Sequence, residues 1–461
     1  MWFLLASSVL AQVPLPAVLE RRFVTQMQEI RPLPGELDRV LVFNSNSPEV
    51  VQTEGILLST FPPDGKQVPV AHLNKPLIGR FDFFSHHIAR SPNERRTLYQ
   101  GVVVYNPNNE PVTLEILQAV SHATNPDAPF VQLPSIVENP DGRVFSGPGS
   151  RVMNDILRNV REPEFPTKIE IPPMQSRMLF NLPILPGSGR TTYMRLQTNA
   201  PIYMANLAMY AVANTFEHDI LLSEGIVARR EAFRPPSKEE WENLLVRGGL
   251  AQPRDRAPTD PSKQGLEGEE KVFGRVAGVS IGSEWYGRII DRPGEDKLSI
   301  PQPGKGFSYP INTLTRVTLG TNQVQSAPMA VRYADTAING HGNYAVHYRL
   351  VLPLVNNTET TRMVTVALQT PFKQEQARDR LFFVEPPQGQ VFFRGTVRVS
   401  YRDDNRQPQV RFFHLVQRQG QQGEALVTLL MAPGSSRTVT VSFFYPPDAT
   451  PPQVLTVRTL E

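Results

Sequence analysis

Leu98–Gln118 reads LYQGVVVYNPNNEPVTLEILQ. Gly101–Tyr105 is apolar and rich in valine, Asn106-Pro107-Asn108-Asn109 supplies turn residues, and Val112–Leu117 alternates apolar with polar side chains. The pattern is an apolar strand, an Asn-led polar turn and a second strand. The same order returns at Tyr348–Gln369, YRLVLPLVNNTETTRMVTVALQ, with an Asn-led polar turn and a second run that begins on Val-Thr. Other short runs bounded by Pro, Gly, Asn and Asp include Arg39–Phe43, Gly55–Phe61, Val391–Val399 and Thr438–Tyr445. This spacing predicts a mainly β protein of antiparallel, immunoglobulin-like β-sandwiches rather than alternating βαβ units.

A second pair of segments follows in the same order. Pro173–Thr198 (PMQSRMLFNLPILPGSGRTTYMRLQT) resembles Pro433–Thr459 (PGSSRTVTVSFFYPPDATPPQVLTVRT): in each, a Pro and a Ser-Arg pair precede a strand, a Pro/Gly turn and another strand. The first pair of segments lies about 250 residues apart and the second about 260, a drifting offset that argues for a diverged duplication; convergent sandwich patterning is the alternative. Between the halves, Ser237-Lys238-Glu239-Glu240 is a capping box, Trp241, Leu244 and Leu245 share one helix face, and Gly248-Gly249 ends the helix. Ala251–Glu270 is polar, charged and Pro-rich, which reads as an exposed linker. The expected organisation is a signal peptide (1–11), an N-terminal extension (12–35), a first sandwich (36–233), a helix and linker (234–270) and a second sandwich (271–461).

Composition narrows the chemistry. The 461 residues include 44 Pro and 30 Gly, are 40% hydrophobic and contain no Cys. That is enough apolar material for packed cores, and it excludes disulfides, Cys nucleophiles, zinc fingers and iron–sulfur clusters. Net charge is only +3, so no strong field draws in nucleic acid. Nine of the 47 basic residues are Lys and the rest Arg, a side chain suited to carboxylate, phosphate and sulfate.

Trp2–Ala11 (WFLLASSVLA) is too short to span a bilayer but has the length of a signal-peptide core, with Val9 and Ala11 placed for cleavage before Gln12. Only Met1 precedes it, so the positive flank is missing; a start codon placed too late would explain that. Pro14 and Pro16 disfavour a core strand there. No later stretch has membrane-helix length. The expectation is an extracytoplasmic protein, in the periplasm, associated with the outer membrane or secreted.

Arg31–Pro63 (RPLPGELDRVLVFNSNSPEVVQTEGILLSTFPP) and Val324–Thr358 (VQSAPMAVRYADTAINGHGNYAVHYRLVLPLVNNT) resemble the signature segments of a family of exported cyanobacterial proteins, catalogued as a domain of unknown function. The resemblance covers most of the mature chain, including His86-His87 in FDFFSHHIAR. It implies an extracytoplasmic location in a cyanobacterium and brings no activity, cofactor or catalytic residue.

Several motifs invite chemical readings. Gly278-Val279-Ser280-Ile281-Gly282 matches the G-x-S-x-G nucleophile elbow, yet SEWYGRII after it reads as a strand where the elbow needs a helix. Gly187–Thr192 lacks the Lys and spacing of a phosphate loop and reads as a hairpin turn. His86 and His87 are adjacent, so on a strand they face opposite ways, and no metal-ligand spacing surrounds them. Phe84, His86, His87, Arg95 and Arg96 form the candidate ligand-contact set, because Arg with aromatics grips anionic or sugar-like molecules. A core strand followed by a charged turn is the competing reading.

The expected function is a non-enzymatic envelope protein that binds a partner protein or polysaccharide, with no catalytic residue, metal or cofactor assigned. A secreted hydrolase or carbohydrate-active enzyme is the alternative, and a metal-dependent binding module around His86 the third.

Overall fold

The computed structural model describes residues 20–214, 233–260, 263, 271–376 and 378–461. The expected signal peptide and most of 261–270 lie outside the described residues. Strand outweighs helix by 47% to 6%, in several sheets, so the protein is mainly β.

The two opening runs form the strands Leu98–Tyr105 (β1) and Val112–Ala123 (β2), which do not pair with each other because the Asn106 turn carries the chain from one layer to the other; Ser176–Ile184 (β3) and Gly189–Tyr210 (β4) follow. β3 runs antiparallel to β1, with Phe180 opposite Val102, and β4 antiparallel to β2, with Leu196 opposite Ile116. β4 serves two layers. Its first part also pairs Leu77–Ala89, its last part pairs β1 and Gly55–Ser59, and the register shifts between Thr198 and Ile202. Pro201 lies in that interval and has no N–H to give a ladder.

In the second half, His347–Val355 (β5), Arg362–Gln369 (β6), Ser436–Phe444 (β7) and Gln453–Thr459 (β8) repeat these pairings, β5 with β7 and β6 with β8, both antiparallel. One layer matches strand for strand. In the first half the order is Lys168–Ile171, β2, β4, Leu77–Ala89, Leu41–Ser45, with three antiparallel contacts and then a parallel one. In the second it is Ala425–Met431, β6, β8, Gly306–Ile311, Glu29–Ile30, with the same senses.

The turns match too. Asn106 Nδ2 donates to the carbonyls of Glu110 and Ile171, at 2.7 and 2.9 Å, while its Oδ1 accepts from the Asn108 N–H at 2.8 Å. Asn356 Nδ2 donates to the carbonyls of Thr360 and Met431, at 2.9 and 2.8 Å, and its Oδ1 accepts from the Thr358 N–H at 2.9 Å. Asn is the residue for this position because one amide closes the turn and ties it to a neighbouring strand.

The sheets do not stop at the boundaries read from the sequence. Arg22–Met27 pairs Arg380–Glu385, and Glu36–Leu37 pairs Glu284–Arg288, all across the helix-and-linker region. In the other direction Ala277–Ile281 joins Leu41–Ser45 in the first-half sheet, and Ile136–Glu138 pairs Pro408–Arg418. Residues of the expected linker are tied to the first half, with Gln252 bonded to Gln52 and Asp255 to Ser47. Local composition marks a run as a strand but does not name the sheet that it joins.

Two large cores result. One gathers Phe81, Phe83, Val102, Val104, Leu114 and Leu196 with Ala277 and Val279; the other gathers Leu350, Leu352, Val366, Val441, Phe443 and Val457 with Leu33. The helix expected near residue 237 spans Lys238–Arg247, with both capping-box bonds between Ser237 and Glu240 present. Its Trp241 packs over Gly101, where a Cβ would come within 2.5 Å of the indole. A further helix, Pro148–Leu157 (α1), was hidden by its Pro-Gly start. Its Val152, Met153, Ile156 and Leu157 pack with Phe84, Val120 and Tyr193 of the first half and Ala345 and Phe444 of the second.

Candidate functional site

Strand alternation separates the first three candidate residues. Phe84, on Leu77–Ala89, is fully buried in the cluster under α1. His87 points to the opposite side into a polar network inside the first half. Its Nε2 lies 3.0 Å from Ser45 Oγ and its Nδ1 2.8 Å from the Pro48 carbonyl; Asn206, Gln100 and Ser85 extend the network. Burial lowers the His87 pKa to about 4, against weaker help from the Pro48 carbonyl. His86 faces the other way, with Nδ1 2.7 Å from Thr191 Oγ1, and lines a cavity of about 260 Å³ between the halves.

Arg95 and Arg96 stand elsewhere, in a groove of about 800 Å³ lined also by Glu94, Tyr99, Arg190 and Phe233. Arg96 bonds Glu94 through Nε and Nη2, at 2.9 and 2.6 Å, and the Ala211 carbonyl through Nη1, at 3.0 Å. Its guanidinium lies 5.5 Å from the Tyr210 ring centre. The hydrogen bonds from Arg96 hold the Glu94 carboxyl below its ordinary pKa. Arg190, buried, donates to Ser121 Oγ and the Pro183 carbonyl, both at 2.9 Å. Arg95 is exposed. The structure thus brings Arg95 and Arg96 together and sets Phe84, His86 and His87 apart from them.

Ser280 sits inside the strand Ala277–Ile281, 2% exposed, at a register shift against Ala327–Arg332. The cavity it lines, with Asn44 and His341, is about 10 Å³, room for about one water. Gly187-Ser188 makes the tight turn between β3 and β4: Gly187 has φ 75° and donates to the Ala89 carbonyl at 2.7 Å.

Two constellations escaped the sequence reading. Asp82, 1% exposed, accepts from Arg80 Nη1 and from the Tyr193 hydroxyl, and burial still pushes its carboxyl pKa up. In the second half, Ser442 Oγ lies 2.8 Å from His347 Nε2, and His347 Nδ1 lies 2.9 Å from Glu284 Oε2. The bond from His347 is the main reason that Glu284 stays below its ordinary pKa. Phe444 stacks on the imidazole with ring centres 4.5 Å apart, and Arg349 and Arg398 flank Ser442 in register. These groups come from three strands, so no sequence spacing announces them. Among the described residues no group of three or more His, Asp or Glu is placed to hold a metal ion.

A family described as "Protein of unknown function (DUF3370)" matches residues 28–459, and the chain belongs to it. No curated protein matches. Among solved structures the chain is similar to an 11S globulin from Wrightia tinctoria at 11% identity, covering 94% of this chain and 83% of that one with a TM-score of 0.11. It is also similar to the recombinant pro-11S globulin of pumpkin, at 10% identity, 90% and 87% coverage and a TM-score of 0.10. An oxalate decarboxylase of Bacillus subtilis follows at 9% identity, 87% and 76% coverage and a TM-score of 0.09. At such scores these likenesses carry no argument about fold or chemistry.

Proposed function

We propose that this member of the DUF3370 family is an exported, non-enzymatic protein of the cyanobacterial cell envelope that binds an acidic polysaccharide. The apolar run Trp2–Ala11 with its small residues supports export. The matched five-strand layers and the paired Asn106 and Asn356 turns support two immunoglobulin-like sandwich units descended from one, with strands exchanged between them.

The observation that carries the binding reading is the groove holding Arg95, Arg96 and Arg190 beside Tyr99 and Phe233. Glu94 and Glu54 act on Arg96, and Asp127, Glu162 and Glu164 on Arg190, so the exposed Arg95 is the charge the groove presents to an anion; aromatic edges suit sugar rings. The mature protein is expected to be retained on immobilised alginate at low salt, released by added salt, and not retained on neutral dextran. Arg95→Glu, at an exposed position, should cut retention at least tenfold with the melting temperature unchanged. Failure to bind, or binding indifferent to Arg95→Glu, refutes the reading; capture of an envelope protein by the same groove would replace polysaccharide with a protein partner.

A hydrolase is the second reading, and the Ser442–His347–Glu284 chain is the observation that favours it. Against it, Ser442 lies mid-strand and is 5% exposed, and β7 runs paired on both sides, leaving few backbone N–H groups for an oxyanion. A fluorophosphonate probe decides: labelling lost in Ser442→Ala establishes an enzyme, and no labelling leaves the polar chain as a structural link.

A further inference from the structure

The cavity of about 260 Å³ between the halves takes its walls from both. Asn46, Glu49 and His86 come from the first half, and Phe273, Arg275, Leu314, His341 and Tyr344 from the second. Ligand sites favour such places, where two packed units meet.

Two of its polar groups each have an atom without a partner. Asn46 is 5% exposed, lines the cavity, and its Oδ1 is buried without a hydrogen bond. His341 Nε2 is in the same condition. The other ring nitrogen lies 3.5 Å from Ser326 Oγ, and Phe273 packs edge-on with its ring centre 5.1 Å away. Buried polar atoms are rarely left unpaired, so these two mark a place where a hydrogen-bonding guest belongs.

Charge defines the guest. Arg275 is paired with both Glu49 and Asp255, so it offers no uncompensated charge to an anion. Two carboxylates against one guanidinium leave the excess charge negative, which turns away an anionic guest. Burial lowers the His341 pKa to about 4, so the ring is neutral at neutral pH. What remains is a mixed set: an amide oxygen that accepts, an imidazole nitrogen that gives or takes a proton bond according to tautomer, and apolar walls from Phe273, Leu314 and Tyr344. A hydroxyl group both donates and accepts, so a neutral ring carrying several hydroxyls answers every one of these features. The volume lies just below the range of about 300–1,000 Å³ that holds drug-sized ligands, which sets the guest at one sugar ring.

We infer that the inter-half cavity bounded by Asn46, His341 and Phe273 is a binding site for one neutral, polyhydroxylated ring, a monosaccharide or cyclitol. It shares no residue with the Arg95 groove, and its success or failure is independent of polysaccharide binding there.

The test is calorimetric titration of the full mature protein with D-glucose, D-galactose and myo-inositol, with glucuronate as the charged control. At least one neutral ring is expected to bind at a 1:1 ratio, more tightly than glucuronate, and to shift the His341 imidazole resonances in NMR spectra of the unmodified protein. Asn46→Ala should weaken binding at least tenfold. Leu314→Trp, which fills the cavity and removes no polar partner, should abolish binding whether or not the Asn46 variant folds. No binding by any neutral ring at 50 mM, preference for glucuronate, an unmoved His341 resonance, or full binding by Leu314→Trp overturns the inference.

Discussion

Asn356→Ala tests whether one turn device holds each half. Asn356 is fully buried, and its amide bonds the Thr360 and Met431 carbonyls and the Thr358 N–H, all within 2.9 Å. Alanine strands the buried Met431 carbonyl, at about 1–3 kcal/mol, and removes three bonds at the turn, to the Thr360 carbonyl and from the Thr358 N–H and hydroxyl, each worth about 0.5–1.5 kcal/mol net. The expected loss is about 3 kcal/mol. Asn106→Ala removes the corresponding bonds to Glu110, Ile171 and Asn108, so its cost should agree within about 1 kcal/mol. Equilibrium urea unfolding measures both, with the midpoint moving and the slope unchanged. Trp241 reports on the first half and Trp285 on the second, so fluorescence shows which half each substitution loosens. A cost below about 1 kcal/mol for Asn356→Ala would mean that water replaces the amide, and the argument from buried bonds fails. A large difference between the two variants would break the equivalence of the halves.

Two more expectations follow from buried groups. Ser280→Ala should leave alginate retention, sugar binding and probe labelling at wild-type levels, because Ser280 borders a space for about one water and nothing larger; loss of any of these would restore Ser280 to the chemistry. Acid should weaken the fold through His87. Its folded pKa is lowered to about 4 from the ordinary 6.5, so between those values the unfolded chain binds the extra proton, and stability falls as pH drops through that window and is flat for this group above it. Urea midpoints at pH 7 and pH 4.5 measure the fall, and His87→Gln should reduce it, with His72, His341 and His414, whose pKa burial also lowers to about 4, supplying the rest; an unchanged slope would show that His87 does not contribute.

The β class, the strands on either side of both Asn turns and the capped helix at Ser237 were legible because each rests on neighbours in sequence: alternating side chains, a turn residue, a cap three positions from its partner; that the strands flanking each Asn turn pair elsewhere was not. α1 was not, because Pro148-Gly149 reads as a turn when nothing shows the apolar face it buries. Of the five candidate contacts, the sequence could place Arg95 and Arg96 together since they are adjacent, and could set His86 against His87 by strand alternation. It could not say that His86 meets Arg275 and His341, which stand far along the chain, or that Ser442, His347 and Glu284 form a hydrogen-bonded line. Such meetings depend on which sheet each strand joins. That choice is made by long-range pairing, as when Ala277–Ile281 leaves its own half for Leu41–Ser45 while Glu29–Ile30 crosses to Gly306–Ile311. Local propensity fixes a strand and its two faces; only the free energy of burying those faces against a particular partner fixes the neighbour, and with it the seam that the cavity occupies.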